Sequence, residues 1–152
     1  MVVLWPVGLG RLLLTLLLII YVSLSLWLLG TGIVYLCANS QTALAWYKYF
    51  TFFGVVSIMP NAYLFSAASS NSLRRQRSFV ALSFLLAYVF YFFAAATEKS
   101  IGTPRLYFWG YYPAYQPLNL LFLFCYAITF ATLQANLWFA YQREDIPIKK
   151  TQ

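Results

Sequence analysis

EKSIGTPRLYFWGYYPAYQP, residues Glu98 to Pro117, packs Tyr107, Phe108, Trp109, Tyr111, Tyr112 and Tyr115 into nine positions. Pro104, Gly110, Pro113 and Pro117 interrupt any helix there. Long apolar runs flank it on both sides. Amphipathic rings collect where hydrocarbon meets water, because one end of each ring is apolar and the other wants a hydrogen bond. The stretch therefore reads as an aromatic lid lying on one face of a membrane.

The composition agrees. Hydrophobic residues make up 62% of the 152 residues and charged residues only 9%. A soluble domain has about 25% charged residues. At about 20 residues per span, the length suits four spans and leaves no room for a soluble catalytic domain. The fold class expected is an all-α integral membrane protein, a single four-helix membrane domain over residues 1–152.

The first span is residues 12–36, a run without charge after Arg11. It is too long for the apolar core of a signal peptide. A polar turn at Ala38 to Ala43 leads into a second span at 44–66. Lys48 lies near its start and is expected to snorkel to the surface. Pro60 lies deep inside and predicts a kink. Gly54, Ser57 and Asn61 form a small, polar stripe suited to close helix contact. The link Ala67 to Ser78 carries Arg74, Arg75 and Arg77. The third span, 79–96, has rings on every side. The fourth, 117–141, starts at Pro117, a favoured first helical residue. Ala127, Ala131 and Ala135 recur every four residues along it, with Gln134 beside them. Such a ridge lets two helix backbones approach.

Charge sets the topology. Arg11, the three link arginines, Arg143, Lys149 and Lys150 fall at one end; Lys48, Lys99 and Arg105 fall at the other. By the positive-inside rule, both termini and the arginine link are cytoplasmic and the lid faces outward. The location expected is a bacterial inner (cytoplasmic) membrane. The arginines set this orientation and can touch anionic lipid. The net charge of +7 is not a nucleic-acid signal, since no continuous basic face is visible.

The chain has no His. That removes the usual proton shuttle and the commonest metal ligand. The three acids are Glu98, Glu144 and Asp145; none forms a pair in one cleft, and the last two read as a solvated tail. Cys37 and Cys125 read as small buried hydrophobes. No enzyme activity, metal site or intrinsic cofactor is expected. The rings leave room for lipid, quinone or pigment at the surface. Asn61, Asn119, Gln134 and Asn136 lie at or near membrane depth, where amides usually bond across helices. The functional version of this reading is an intramembrane polar site with Asn61 and Gln134 as donors.

Two segments resemble a known family. AWYKYFTFFGVVSIMPNAYLFSAASS, Ala45 to Ser70, and LYFWGYYPAYQPLNLLFLFCYAITF, Leu106 to Phe130, resemble parts of the N-terminal seven-helix membrane region of bacterial histidine kinases. Trp109, Gly110, Tyr111, Tyr112 and Pro113 carry the loop match. The family places its spans before a soluble signalling domain, whereas this chain has four spans and an eleven-residue tail. The resemblance implies helices kept without an output domain, and hence action through a partner.

The expected role is a non-catalytic accessory or scaffold subunit of a larger membrane protein complex of the energy-converting kind, photosynthetic or respiratory. Its partner and lipid contacts would be Tyr107, Trp109, Gly110, Tyr111, Tyr112 and the ridge Ala127, Ala131 and Ala135. The alternative is a stand-alone membrane sensor that binds a small apolar ligand and signals to a separate partner.

Overall fold

A computed structural model describes residues 7–143 of the protein. Glu144, Asp145, Lys149 and Lys150 lie outside the described residues. Four helices are long and apolar enough to cross a membrane: Leu9–Leu36, Ser40–Ser69, Leu73–Ala96 and Pro117–Gln142. An apolar helix covers each of the four expected spans and is longer than the hydropathy suggested.

Helix α1 (Val7–Leu36) is followed by a link of only three residues. The second span begins as α2 (Ser40–Trp46), capped by Asn39, whose side chain accepts from the Thr42 backbone N–H at 2.8 Å. It widens into a π turn at Tyr47–Thr51 and continues as α3 (Phe52–Ser69). Helix α4 covers Leu73–Ala96 and α5 covers Pro117–Arg143. Pro117 opens α5 as the sequence predicts. The helix continues through Pro60.

The second span is the centre of the bundle. Just over half of its apolar window is buried, against 11 to 17% for the other three. Its closest neighbour is α1, and small residues let the two backbones approach. A Cβ on Gly54 would sit 2.6 Å from the Trp27 backbone nitrogen and 2.8 Å from the Ser23 carbonyl oxygen. Gly30 meets Thr51 in the same way. Gly54 thus makes the close helix contact expected of it. Beside this crossing Phe52, Val56, Phe90 and Phe122 form the main core, with Phe52 and Phe90 each edge-on to Phe122 at 5.3 and 5.5 Å. Cys37 and Cys125 pack against this core half-buried, as free thiols.

At the opposite end the arginine link is shorter than expected. Helix α3 runs to Ser69 and α4 starts at Leu73, so Arg74, Arg75 and Arg77 are helical residues on the first turns of α4, all exposed. Cations there oppose the helix dipole. Helix stability therefore does not explain their position. Beside them Gln76 and Asn136 exchange two hydrogen bonds of 2.7 Å, and Tyr63 donates to the same Gln76 oxygen at 2.9 Å. This cluster fastens α4 to α5 at the arginine end. Gln76→Leu strands the Asn136 amide. We expect a double-mutant cycle with Asn136→Leu to give a coupling of about 1 kcal/mol in detergent unfolding; zero coupling would mean that water serves both amides equally well.

Candidate functional site

The lid is not an irregular loop. Strand β1 (Ile101–Tyr107) pairs antiparallel with β2 (Gly110–Tyr115), so the all-α expectation needs this correction. The pair Tyr107–Gly110 closes a loop of two residues, Phe108 and Trp109. Neither residue favours a tight turn. Gly110 supplies the positive φ instead, at +125°. The prolines fit because the register breaks between Gly102 and Arg105. Thr103 and Pro104 stand against Pro113 there, at a bulge where a missing N–H costs least.

The hairpin lies over the ends of α1 and α2. Ile101, at its root, is fully buried, and Gly110 sits against the Tyr35 backbone in the last turn of α1. Exposure divides the expected contact residues. Tyr107 and Trp109 point away from the protein and stack at 4.9 Å with planes 5° apart. Phe108, 97% exposed, stands beside them. Gly110, Tyr111 and Tyr112 do not belong to that outward surface. Gly110 is pressed on α1, Tyr111 packs on the main core, and Tyr112 turns to Tyr115.

Three tyrosine hydroxyls run in a chain beneath the hairpin. Tyr47 and Tyr115 share a hydrogen bond of 3.1 Å, and Tyr115 and Tyr112 one of 3.4 Å. The bond to Tyr115, with partial burial second, pushes the Tyr112 phenol up to about 12. Burial raises Tyr115 as well. Both phenols therefore stay neutral at physiological pH and act as hydrogen-bonding groups, not anions.

Lys48 also departs from expectation. It does not snorkel: the side chain is 7% exposed and donates to the Thr97 carbonyl at 3.0 Å. Thr97 caps the C-terminus of α4, where unpaired carbonyls and the negative end of the dipole receive a cation.

Below the tyrosines lies a cavity of about 250 Å³ among α1, α3 and α5. Phe52, Val55, Ile58, Phe122 and Tyr126 form most of its wall. Asn119 also lines it, 2% exposed, and its buried Oδ1 meets no donor among the described residues. A buried acceptor left unpaired costs about 1–3 kcal/mol.

The polar site expected from Asn61 and Gln134 does not form. Asn61 is buried but bonds back to the Ser57 carbonyl of its own helix at 2.7 Å. Gln134 is exposed on α5, together with Ala127, Ala131 and Ala135. Of the four amides, Asn136 is the one that bonds across helices. Asn119, Tyr47 and Tyr115 are the polar groups that do converge. Asn119 could be placed at membrane depth from sequence, but its orientation depends on where α5 crosses α3.

No family model, curated protein or solved structure matches the chain. The likeness to histidine kinase membrane regions therefore rests on the two quoted segments alone.

Proposed function

We propose that the chain is a non-catalytic subunit of a larger membrane assembly, held in a bacterial inner membrane with the arginine end cytoplasmic and the hairpin outside. The observation that carries this reading is the direction of the α5 ridge. Ala127, Ala131 and Ala135 face away from the bundle with Gln134 among them. Small residues turned toward lipid give a lone chain no packing advantage, whereas a second helix can approach them closely and bond the amide. The exposed Leu106, Tyr107, Phe108 and Trp109 offer a second contact at the hairpin tip, to headgroups or to the same partner. Seven cations near the arginine end and in the tail, against three at the hairpin end, support the orientation.

Mild detergent extraction followed by a native gel and mass spectrometry tests the reading. The chain should migrate with larger proteins in fixed ratio. Ala131→Leu, on an exposed face, should leave its own melting unchanged and weaken that association by about tenfold or more. Recovery only as a free monomer would refute it.

The cavity favours a second reading, a module that senses a small apolar ligand. In that case Asn119, not Asn61 or Gln134, is the polar contact.

A further inference from the structure

The seam between α4 and α5 is hollow at two levels. At the arginine end lies a hollow of about 250 Å³. Arg75 is its charged wall, with Asn71 and the serines Ser69, Ser70 and Ser72 around it. Below it is a narrower hollow of about 120 Å³, walled chiefly by Phe79, Leu82, Leu86 and Ile128 and by no charged side chain. Both lie on the same helix faces. On α4 the walls include Ser72, Arg75, Phe79, Ser83 and Leu86. On α5 they include Cys125, Thr129, Thr132, Asn136 and Ala140. Steps of three and four keep each set on one side of its helix. Gln76 and Asn136 line the upper hollow and Tyr63 the lower, so their hydrogen-bonded cluster sits where the two meet.

We propose that this seam holds one acidic phospholipid, with its phosphate at Arg75 and Asn71 and one acyl chain along the lower hollow. Charge, width and length select that occupant. Arg74, Arg75 and Arg77 are exposed here, whereas Glu98, the one acid among the described residues, lies beyond the far end of α4. The Arg75 guanidinium offers a fork of N–H donors that matches phosphate oxygens, and Asn71 adds an amide donor at the rim. The lower hollow, at about 120 Å³, is smaller than the about 150 Å³ that admits benzene, so it takes a single chain and not a ring. Ala140 lies fifteen residues beyond Cys125, which is about 22 Å along a helix. One leaflet with its headgroups is about 20–22 Å thick. The seam is therefore as long as one lipid. The inference goes beyond the subunit reading, because Ala127, Ala131 and Ala135 line neither hollow. It can fail while the chain still purifies with its partner, and it can hold for a free monomer.

The test uses the full chain in dodecyl maltoside with dioleoyl phosphatidylglycerol, dioleoyl phosphatidylcholine and inorganic phosphate. The first lipid is anionic. The second has the same phosphate and chains but carries its own balancing cation. Phosphatidylglycerol should raise the melting temperature saturably and stay bound as a single molecule in native mass spectrometry. Phosphatidylcholine should bind roughly tenfold more weakly, and inorganic phosphate should give no saturable rise. Arg75→Gln should bring phosphatidylglycerol down to the level of phosphatidylcholine, a loss of roughly tenfold or more. Arg74→Gln and Arg77→Gln, outside the lining, should each cost roughly twofold at most. Leu82→Trp fills the lower hollow and should weaken both lipids. All four side chains are exposed, so each variant should melt like the parent when no lipid is added. Equal losses in the three arginine variants would reduce the effect to diffuse surface charge and overturn the proposal. So would a rise with phosphate alone that matches the lipid, equal binding of the two lipids, unchanged binding in Leu82→Trp, or no saturable binding at all.

Discussion

Gly110→Ala should lift the hairpin off α1 and lower stability by about 2–4 kcal/mol. Two costs coincide. The φ of +125° lies where L side chains are strained, at about 1–3 kcal/mol. The new Cβ would also meet the Tyr35 backbone, 2.7 Å from its Cα and closer still to its carbonyl oxygen. Those atoms belong to a helix turn and cannot rotate away as a side-chain tip would. The contact also holds the roof of the cavity, since Tyr115 ends the same hairpin. Detergent melting followed by circular dichroism should show the lowered midpoint, and Trp109 emission should shift as the tip leaves its seat. An unchanged midpoint would mean that the tip does not rest on Tyr35.

Gly54→Val is expected to have at least as large an effect, about 3 kcal/mol or more. Its Cβ would stand 2.6 and 2.8 Å from backbone atoms of α1, so the helices must separate and the core above them opens. The crossing is the main hold on helix α1. Only 11% of its apolar window is buried, and its contact with α3 is the most extensive in the bundle. Gly32→Val is the control, because a Cβ there meets nothing within 4 Å; its cost should stay within about 0.5 kcal/mol. Unfolding in increasing SDS distinguishes the two variants. Similar midpoints would refute the close crossing.

The helices were legible because hydropathy and length alone mark a span. Pro117 was legible for a local reason, as a residue suited to the first turn. The hairpin was not. A tight hairpin usually shows Gly or Asn inside its loop, whereas here Phe108 and Trp109 occupy the loop and the permissive residue stands one place later. Pro104 and Pro113 read as helix punctuation, and their tolerance at a bulge appears only once the register is known. Long-range partners were hidden for another reason. Lys48 bonds to a carbonyl forty-nine positions away, and Gln76, read as part of a link, pairs with Asn136 sixty positions away. The ridge on α5 was readable as a spacing. Its outward direction was not, because four-residue spacing describes a face without saying what it faces.

The π turn at Tyr47–Thr51 acts as a spacer of rotational phase. Each residue turns an α-helix by about 100°, so the wider turn sets how the part of the span below it is rotated against the part above. Above it α2 meets the hairpin; within it Lys48 points at Thr97; below it Gly54 presses on α1 and Val55 faces the cavity. A chain with one residue fewer there would keep its hydropathy and its four spans. It would swing either the ammonium group or the glycine away from its neighbour by more than a quarter of a circle. The same composition would then assemble with a different interior, so the geometry of five residues decides what an otherwise uniform apolar rod presents at each level.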